Sequence, residues 1–157
     1  MALEVVRIDD RLVHGQVVVG WCPEVQPDRL IICDDLVAGC EWEREIYKEA
    51  AMDYSISVCS VSGAAHVIKQ YEQEKLFLIV ASPVVIVQLI KRGIPITSVV
   101  VGGMHYDDGK RKIANFIYVN DADLEAFSFL DGQNVHIEGR DMPGCKPIDI
   151  IEQLRIA

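Results

Sequence analysis

Leu76-Phe-Leu-Ile-Val-Ala-Ser-Pro-Val-Val-Ile-Val-Gln-Leu-Ile-Lys-Arg92 is the stretch whose reading decides the fold. Its first six residues, Leu76 to Ala81, are the most hydrophobic strand candidate in the chain and are placed at the sheet centre. Ser82-Pro83 then opens a helix, with proline in the first turn, where a missing N–H does no harm. The helix runs to about Arg92, and Gly93 caps it. A strand that passes straight into a helix is half of a βαβ unit.

The same alternation extends outward on both sides. Toward the N-terminus, Tyr54 to Cys59 alternates with period two and reads as a strand with one wetter face, followed by a helix over Ala64 to Glu72 capped by Ser60 or Ser62. Arg29 to Cys33 is an unbroken apolar run that fits burial on both faces, as in a parallel sheet. Asp34 and Asp35 follow as turn or cap residues, then an amphipathic helix over Glu41 to Met52. Leu3 to Ile8 is a first strand, and Gln16 to Cys22 a short helix stopped by Pro23. Toward the C-terminus come strand Ser98 to Val101 with Gly102-Gly103 after it, strand Phe116 to Val119, and a helix from Asp121 to Phe129 begun by an Asp cap. Val135 to Glu138 reads as an edge strand and Pro147 to Arg155 as a closing helix. The predicted fold is α/β: three layers, a mainly parallel, doubly wound sheet with helices on both faces, and an antiparallel edge strand near the C-terminus. In such a sheet the loops at the carboxyl ends of the strands share one rim. Those loops are Asp9 to Gly15, Ser82-Pro83 and Gly102 to Asp108.

The 157 residues, half of them apolar, suffice for one well-buried core, and no linker divides them, so residues 1–157 are expected to form a single domain. No apolar run approaches the length of a bilayer span, and Glu4, Arg7 and Asp9 break any signal-peptide core, so a soluble, cytoplasmic protein is expected. The five cysteines form an odd set without a Cys-x-x-Cys pair. That argues against a disulfide framework and a structural zinc site and for buried free thiols, with Cys22 set apart because it follows the polar loop. A net charge of −9 argues against nucleic acid or an anionic membrane as main partner.

The chemistry concentrates in Arg7-Ile-Asp-Asp-Arg-Leu-Val-His-Gly-Gln-Val-Val-Val-Gly-Trp21. A histidine ring nitrogen is a nucleophile near neutral pH, and Arg11, three residues before His14, can neutralise a transferred anion. Gly15 lacks a Cβ, so the amides after it can approach that anion closely. Asp10 is read as the group that orients the His14 ring, although it could equally pair with Arg7 or Arg11. Arg7, Arg11, Gly15 and Gln16 are the candidate phosphate contacts, and His14, Arg11 and Asp10 the catalytic set. His66 and His136 receive no role, and His105 is read as an exposed side chain in a rim loop. Gly102-Gly103 is read as a tight turn or a close backbone approach, because no Gly-x-Gly-x-x-Gly or Walker pattern occurs.

Arg7 to Val17 resembles, almost letter for letter, the active-site signature of the enzyme IIB components of the mannose/fructose/sorbose family of the bacterial sugar phosphotransferase system. Val99-Val-Val-Gly-Gly-Met104 is similar to that family's second signature, and the likeness in length and element order covers the whole chain. The resemblance implies that His14 is phosphorylated by enzyme IIA, usually on Nδ1, and that the phosphoryl group passes to a sugar held by the membrane IIC and IID components. It implies no metal and no organic cofactor, and often a homodimer. Family members commonly carry basic residues beside the tryptophan of the first helix, whereas this chain has Val19-Gly-Trp-Cys-Pro-Glu24. The thinned basic surface motivates an alternative, a regulatory module that is phosphorylated but does not hand phosphate to sugar. A binding domain that has lost phosphoryl transfer is the third reading.

Overall fold

The computed structural model describes residues 3–51 and 53–156. In chain order the elements are β1 (Leu3–Asp9), a π-helical segment (Gln16–Trp21), α1 (Cys22–Val25), β2 (Arg29–Cys33), α2 (Asp35–Ala38), α3 (Glu41–Ala51), β3 (Ser55–Cys59) and α4 (Ala64–Gln70). There follow β4 (Leu76–Val80), α5 (Pro83–Lys91), β5 (Ser98–Gly103), β6 (Arg111–Ala114), β7 (Ile117–Val119), α6 (Asp121–Gly132), β8 (His136–Gly139), β9 (Ile148–Asp149) and α7 (Ile150–Ile156). One sheet has the order β3-β2-β4-β1-β5-β8-β9, parallel except where β9 pairs antiparallel with β8 at the edge. β6 and β7 form a separate antiparallel pair. The three-layer, doubly wound α/β architecture and its antiparallel edge strand are therefore as the sequence predicts.

Side-chain alternation along β4 builds the layers. Leu76, Leu78 and Val80 join one apolar cluster with Ile86 and Leu89 of α5 and Phe127 and Leu130 of α6. Phe77 and Ile79 join another, on the opposite face, with Val17, Trp21 and Cys22 of the first helical segment and Ala51 of α3. Period two in the strand divides one apolar run between two cores. The β1–β5 border positions the site. The chain leaves β1 toward the second cluster, through buried Leu12 and Val13, and leaves β5 toward the first, through Met104 and Ile113. The carboxyl ends of two neighbouring strands thus part to opposite faces, which opens the crevice typical of this sheet type.

Several local expectations need correction. Pro23 does not stop the first helix. The backbone runs in a π-helical pattern to Trp21, the Cys22 amide donates to the Val17 carbonyl five residues back, and Pro23 occupies the first turn of α1, where no N–H is required. The helix ends at Gln26, which takes the left-handed φ of 50°. β4, fully buried, lies one place from the centre, and β1 holds the middle position. Gly102 and Gly103 belong to β5 instead of the loop after it. The helix-starting cap of α6 is Asn120, whose side chain accepts from the Asp123 amide while the Asp123 carboxylate accepts from the Asn120 amide. β8 is an internal parallel strand, because the two-residue β9 covers its outer side. Met52, expected at the end of α3, lies outside the described residues. Among the described residues no helix is long and apolar enough to cross a membrane.

Candidate functional site

Strand period places Arg7 and Asp9 on the same face at the end of β1, with Ile8 turned into the opposite core. Both charged side chains are fully buried. A pair of buried charges survives only where partners satisfy it, and here they satisfy all but the Arg7 Nε–H. Asp9 Oδ2 accepts from Arg7 Nη2 at 3.1 Å and from His14 Nε2 at 2.8 Å, while Oδ1 accepts from the Arg11 amide at 3.0 Å and from Arg11 Nε at 3.4 Å. Burial pushes the Asp9 carboxyl up, but the hydrogen bonds from His14 and the Arg11 amide, with the charges of His14 and Arg7, outweigh it and hold Asp9 below the ordinary carboxylate range.

Arg7 is the buried counter-charge. Its Nη1 donates to the Arg140 carbonyl and its Nη2 to the Asp141 carbonyl, each at 3.2 Å, and the guanidinium stands 5.0 Å from the Trp21 ring. Trp21 Nε1 donates to the same Asp141 carbonyl at 2.6 Å. A Cβ on Gly102 would coincide with the Arg7 guanidinium, so glycine there admits a close approach by a side chain. Burial lowers the Arg7 pKa against the opposing pull of Asp9. Arg7, expected among the phosphate contacts, is thereby corrected: with no exposed surface and both terminal nitrogens engaged inside, it balances Asp9 instead of meeting a ligand.

Asp10 is corrected as well. The side chain after Asp9 leaves the strand face, and Asp9, not Asp10, bonds the His14 ring. The Asp10 amide donates to the Gly103 carbonyl at 3.1 Å, and the Asp10 carboxylate turns across the crevice to His105.

The loop itself is tightly held. The Leu12 amide donates to the Asp9 carbonyl at 2.9 Å, and Leu12 adopts a left-handed φ of 57°, a conformation that costs a leucine energy and is offset here by burying Leu12 and Val13 in the second core. His14 follows with a side chain 18% exposed, so one edge of the ring reaches the rim. With ionised Asp9 accepting at Nε2, that nitrogen carries the proton, and Nδ1 keeps its lone pair, toward which the Gln16 amide points at 3.3 Å. Arg11, 41% exposed, lies beside it and donates from Nη2 to Gln16 Oε1 at 2.8 Å. The arrangement offers an oriented nucleophilic nitrogen, a buried carboxylate that stabilises charge on the ring, and an exposed guanidinium beside the Gly15 and Gln16 amides. The Cys22 thiol, just beyond, is pushed up to about 11 by burial and is no competing nucleophile.

The structure thus brings together His14, Arg11, Gly15 and Gln16 as expected and adds Asp9, Trp21, Gly102 and the 140–142 turn. Period-two reading of β1 would have paired Arg7 with Asp9. No sequence signal brings the turn after β8 to the site.

The model of the PTS system sorbose subfamily IIB component matches residues 3–157. The chain belongs to this family. Among relatives of this IIB component, the PTS system fructose-specific EIIB component of Bacillus subtilis (strain 168) is 34% identical over 158 residues, covering 99% of this chain and 97% of that one. The N-acetylgalactosamine-specific phosphotransferase enzyme IIB component 1 of Escherichia coli (strain K12) is 34% identical over 141 residues, covering 88% and 89%. The crystal structure of the IIBSor domain of the sorbose permease from Klebsiella pneumoniae superposes with a TM-score of 0.93 at 28% identity, covering 100% of this chain and 98% of that one. This IIB component is a phosphotransferase of a sugar uptake system, and such components work with IIA and with IIC/IID permease partners. The relatives do not favour the regulatory alternative.

Proposed function

We propose that His14 is the phosphoryl acceptor of this IIB component. The supporting observation is the 2.8 Å hydrogen bond from His14 Nε2 to buried Asp9, which leaves Nδ1 with its lone pair. Nδ1 attacks the phosphorus of a phosphohistidine on enzyme IIA. As the new N–P bond forms, the donor's N–P bond breaks and its electron pair returns to the donor imidazole. In the second half-reaction a hydroxyl of a sugar held by the IIC/IID permease attacks the same phosphorus and gives its proton to solvent, while the N–P bond breaks and its electron pair returns to His14 Nδ1. Asp9 stabilises the positive ring through both steps, while Arg11 and the Gly15 and Gln16 amides hold the phosphoryl oxygens. The chemistry calls for no metal and no cofactor. We assign the protein to the cytoplasm, acting as one domain over residues 1–157; a homodimer is what the family resemblance implies.

Incubation with phosphoenolpyruvate, enzyme I, the histidine carrier protein and a IIA donor, followed by intact-mass analysis and peptide mapping, tests the assignment. The expected result is one acid-labile phosphate on His14 and none on a His14→Ala variant. Labelling that persists in that variant would remove His14 from the role.

A further inference from the structure

A second imidazole stands on the same rim. Asp10 grips His105 at two points: Oδ1 accepts from ring Nδ1 at 2.5 Å and Oδ2 from the His105 backbone amide at 2.6 Å. A side chain 53% exposed has no burial to orient it, so the carboxylate does so. With Nδ1–H given to Asp10, the proton-accepting lone pair of the neutral ring lies on Nε2, which makes no hydrogen bond among the described residues. The place of this ring relative to the site follows from Gly103. The position a Cβ would take there lies 3.4 Å from His105 Cε1, 3.5 Å from Arg11 Nη2 and 3.3 Å from Asp9 Oδ1. The second imidazole, the exposed guanidinium and the carboxylate that holds His14 therefore surround one small space, kept open because residue 103 has no side chain.

Resting on the assignment of His14 as acceptor, we infer that His105, clamped by Asp10, is a further phosphate-binding residue: its ring takes a proton from solvent when the phosphoryl group arrives and donates it from Nε2 to a phosphoryl oxygen. A hydrogen bond between ionised partners is stronger than a neutral one. Arg11 then holds the anion from one side and His105 from the other. The charged groups around the ring are Asp10 from the loop after β1, Arg11 and Asp9 across Gly103, and Asp107 and Asp108 on its own segment. Because the uncharged ring cannot donate from Nε2, the contribution fades as pH rises above the titration of the imidazolium.

The test compares wild type with His105→Ala, His105→Lys and Asp10→Asn in the phosphorylation equilibrium with the IIA donor, at about pH 6 and at about pH 8.5, either side of histidine titration. His105→Ala should lower the phosphorylated fraction's equilibrium constant about tenfold at the lower pH and much less at the higher one. His105→Lys, a cation at both values, should restore it at both, and Asp10→Asn should fall between. Nitrogen-15 spectra should show the His105 ring holding its proton to higher pH in the phosphorylated protein. Phosphate on His14 with an equilibrium unmoved by His105→Ala at either pH, or with an unchanged His105 titration, would overturn this inference alone. Phosphate mapped on His105 itself or anywhere other than His14 would overturn the acceptor assignment and this inference with it.

Discussion

Asp9 accepts four hydrogen bonds from three residues, and its substitution should separate stability from chemistry. Asp9→Asn leaves the buried Arg7 cation without its counter-charge, so unfolding free energy in urea should fall by about 3 kcal/mol. The acid limb of the stability curve should change too. Because the folded Asp9 pKa lies below the ordinary value, its stabilisation is fully present above about pH 4 and is lost as pH falls through the depressed folded value. The Asn variant should lack that portion of the acid transition, which a urea series across pH would read directly. Phosphorylation of His14 should also drop, since an amide cannot balance a positive ring. That His14, Arg11 and Gln16 would lie together was legible in their spacing, and the structure places them side by side. Residue chemistry misled for Arg7 and Asp10, because a loop read as a string assigns every charge to the surface, whereas the strand's two faces send Arg7 and Asp9 inward together and Asp10 out toward His105.

At the scale of elements, hydrophobic period recovered the buried strands, since burial on one or both faces writes itself into the pattern, but it missed the largely exposed β6 and the two-residue β9, which lies where the closing helix was expected to begin. Boundaries depended on single hydrogen bonds that the pattern does not contain. α6 is the instructive case: Asp121 has the right chemistry for a cap, but the backbone places Asn120 at the capping position, with Asp123 reciprocating. Asn120→Ala should cost about 1 kcal/mol, seen as a lower urea midpoint with an unchanged slope. Asp121→Ala should cost less, because its side chain takes no part in the capping box. The first helical segment shows the same limit. Proline is a helix breaker only where an N–H is needed, and the π-helical turn before Pro23 removes that need.

For the molecule as a whole, backbone protection should follow the sheet order. β4 is buried at every residue and paired on both sides, and β1 occupies the middle, so their amides should exchange slowest with solvent. The two-residue edge β9 and the separate β6–β7 pair should exchange orders of magnitude sooner, a pattern that hydrogen-exchange mass spectrometry resolves. By itself the sequence determined the α/β class, the alternation that makes the sheet parallel, the family signature and the histidine proposed as phosphoryl acceptor, because these reside in local pattern and residue type. Tertiary structure alone decided which aspartate holds that histidine, that Arg7 is interior, and that His105 and the turn after β8 reach the site. Those contacts join residues as far as 134 positions apart, and a sequence pattern reports only neighbours along the chain, whereas the parting of β1 and β5 to opposite faces assembles the crevice in space.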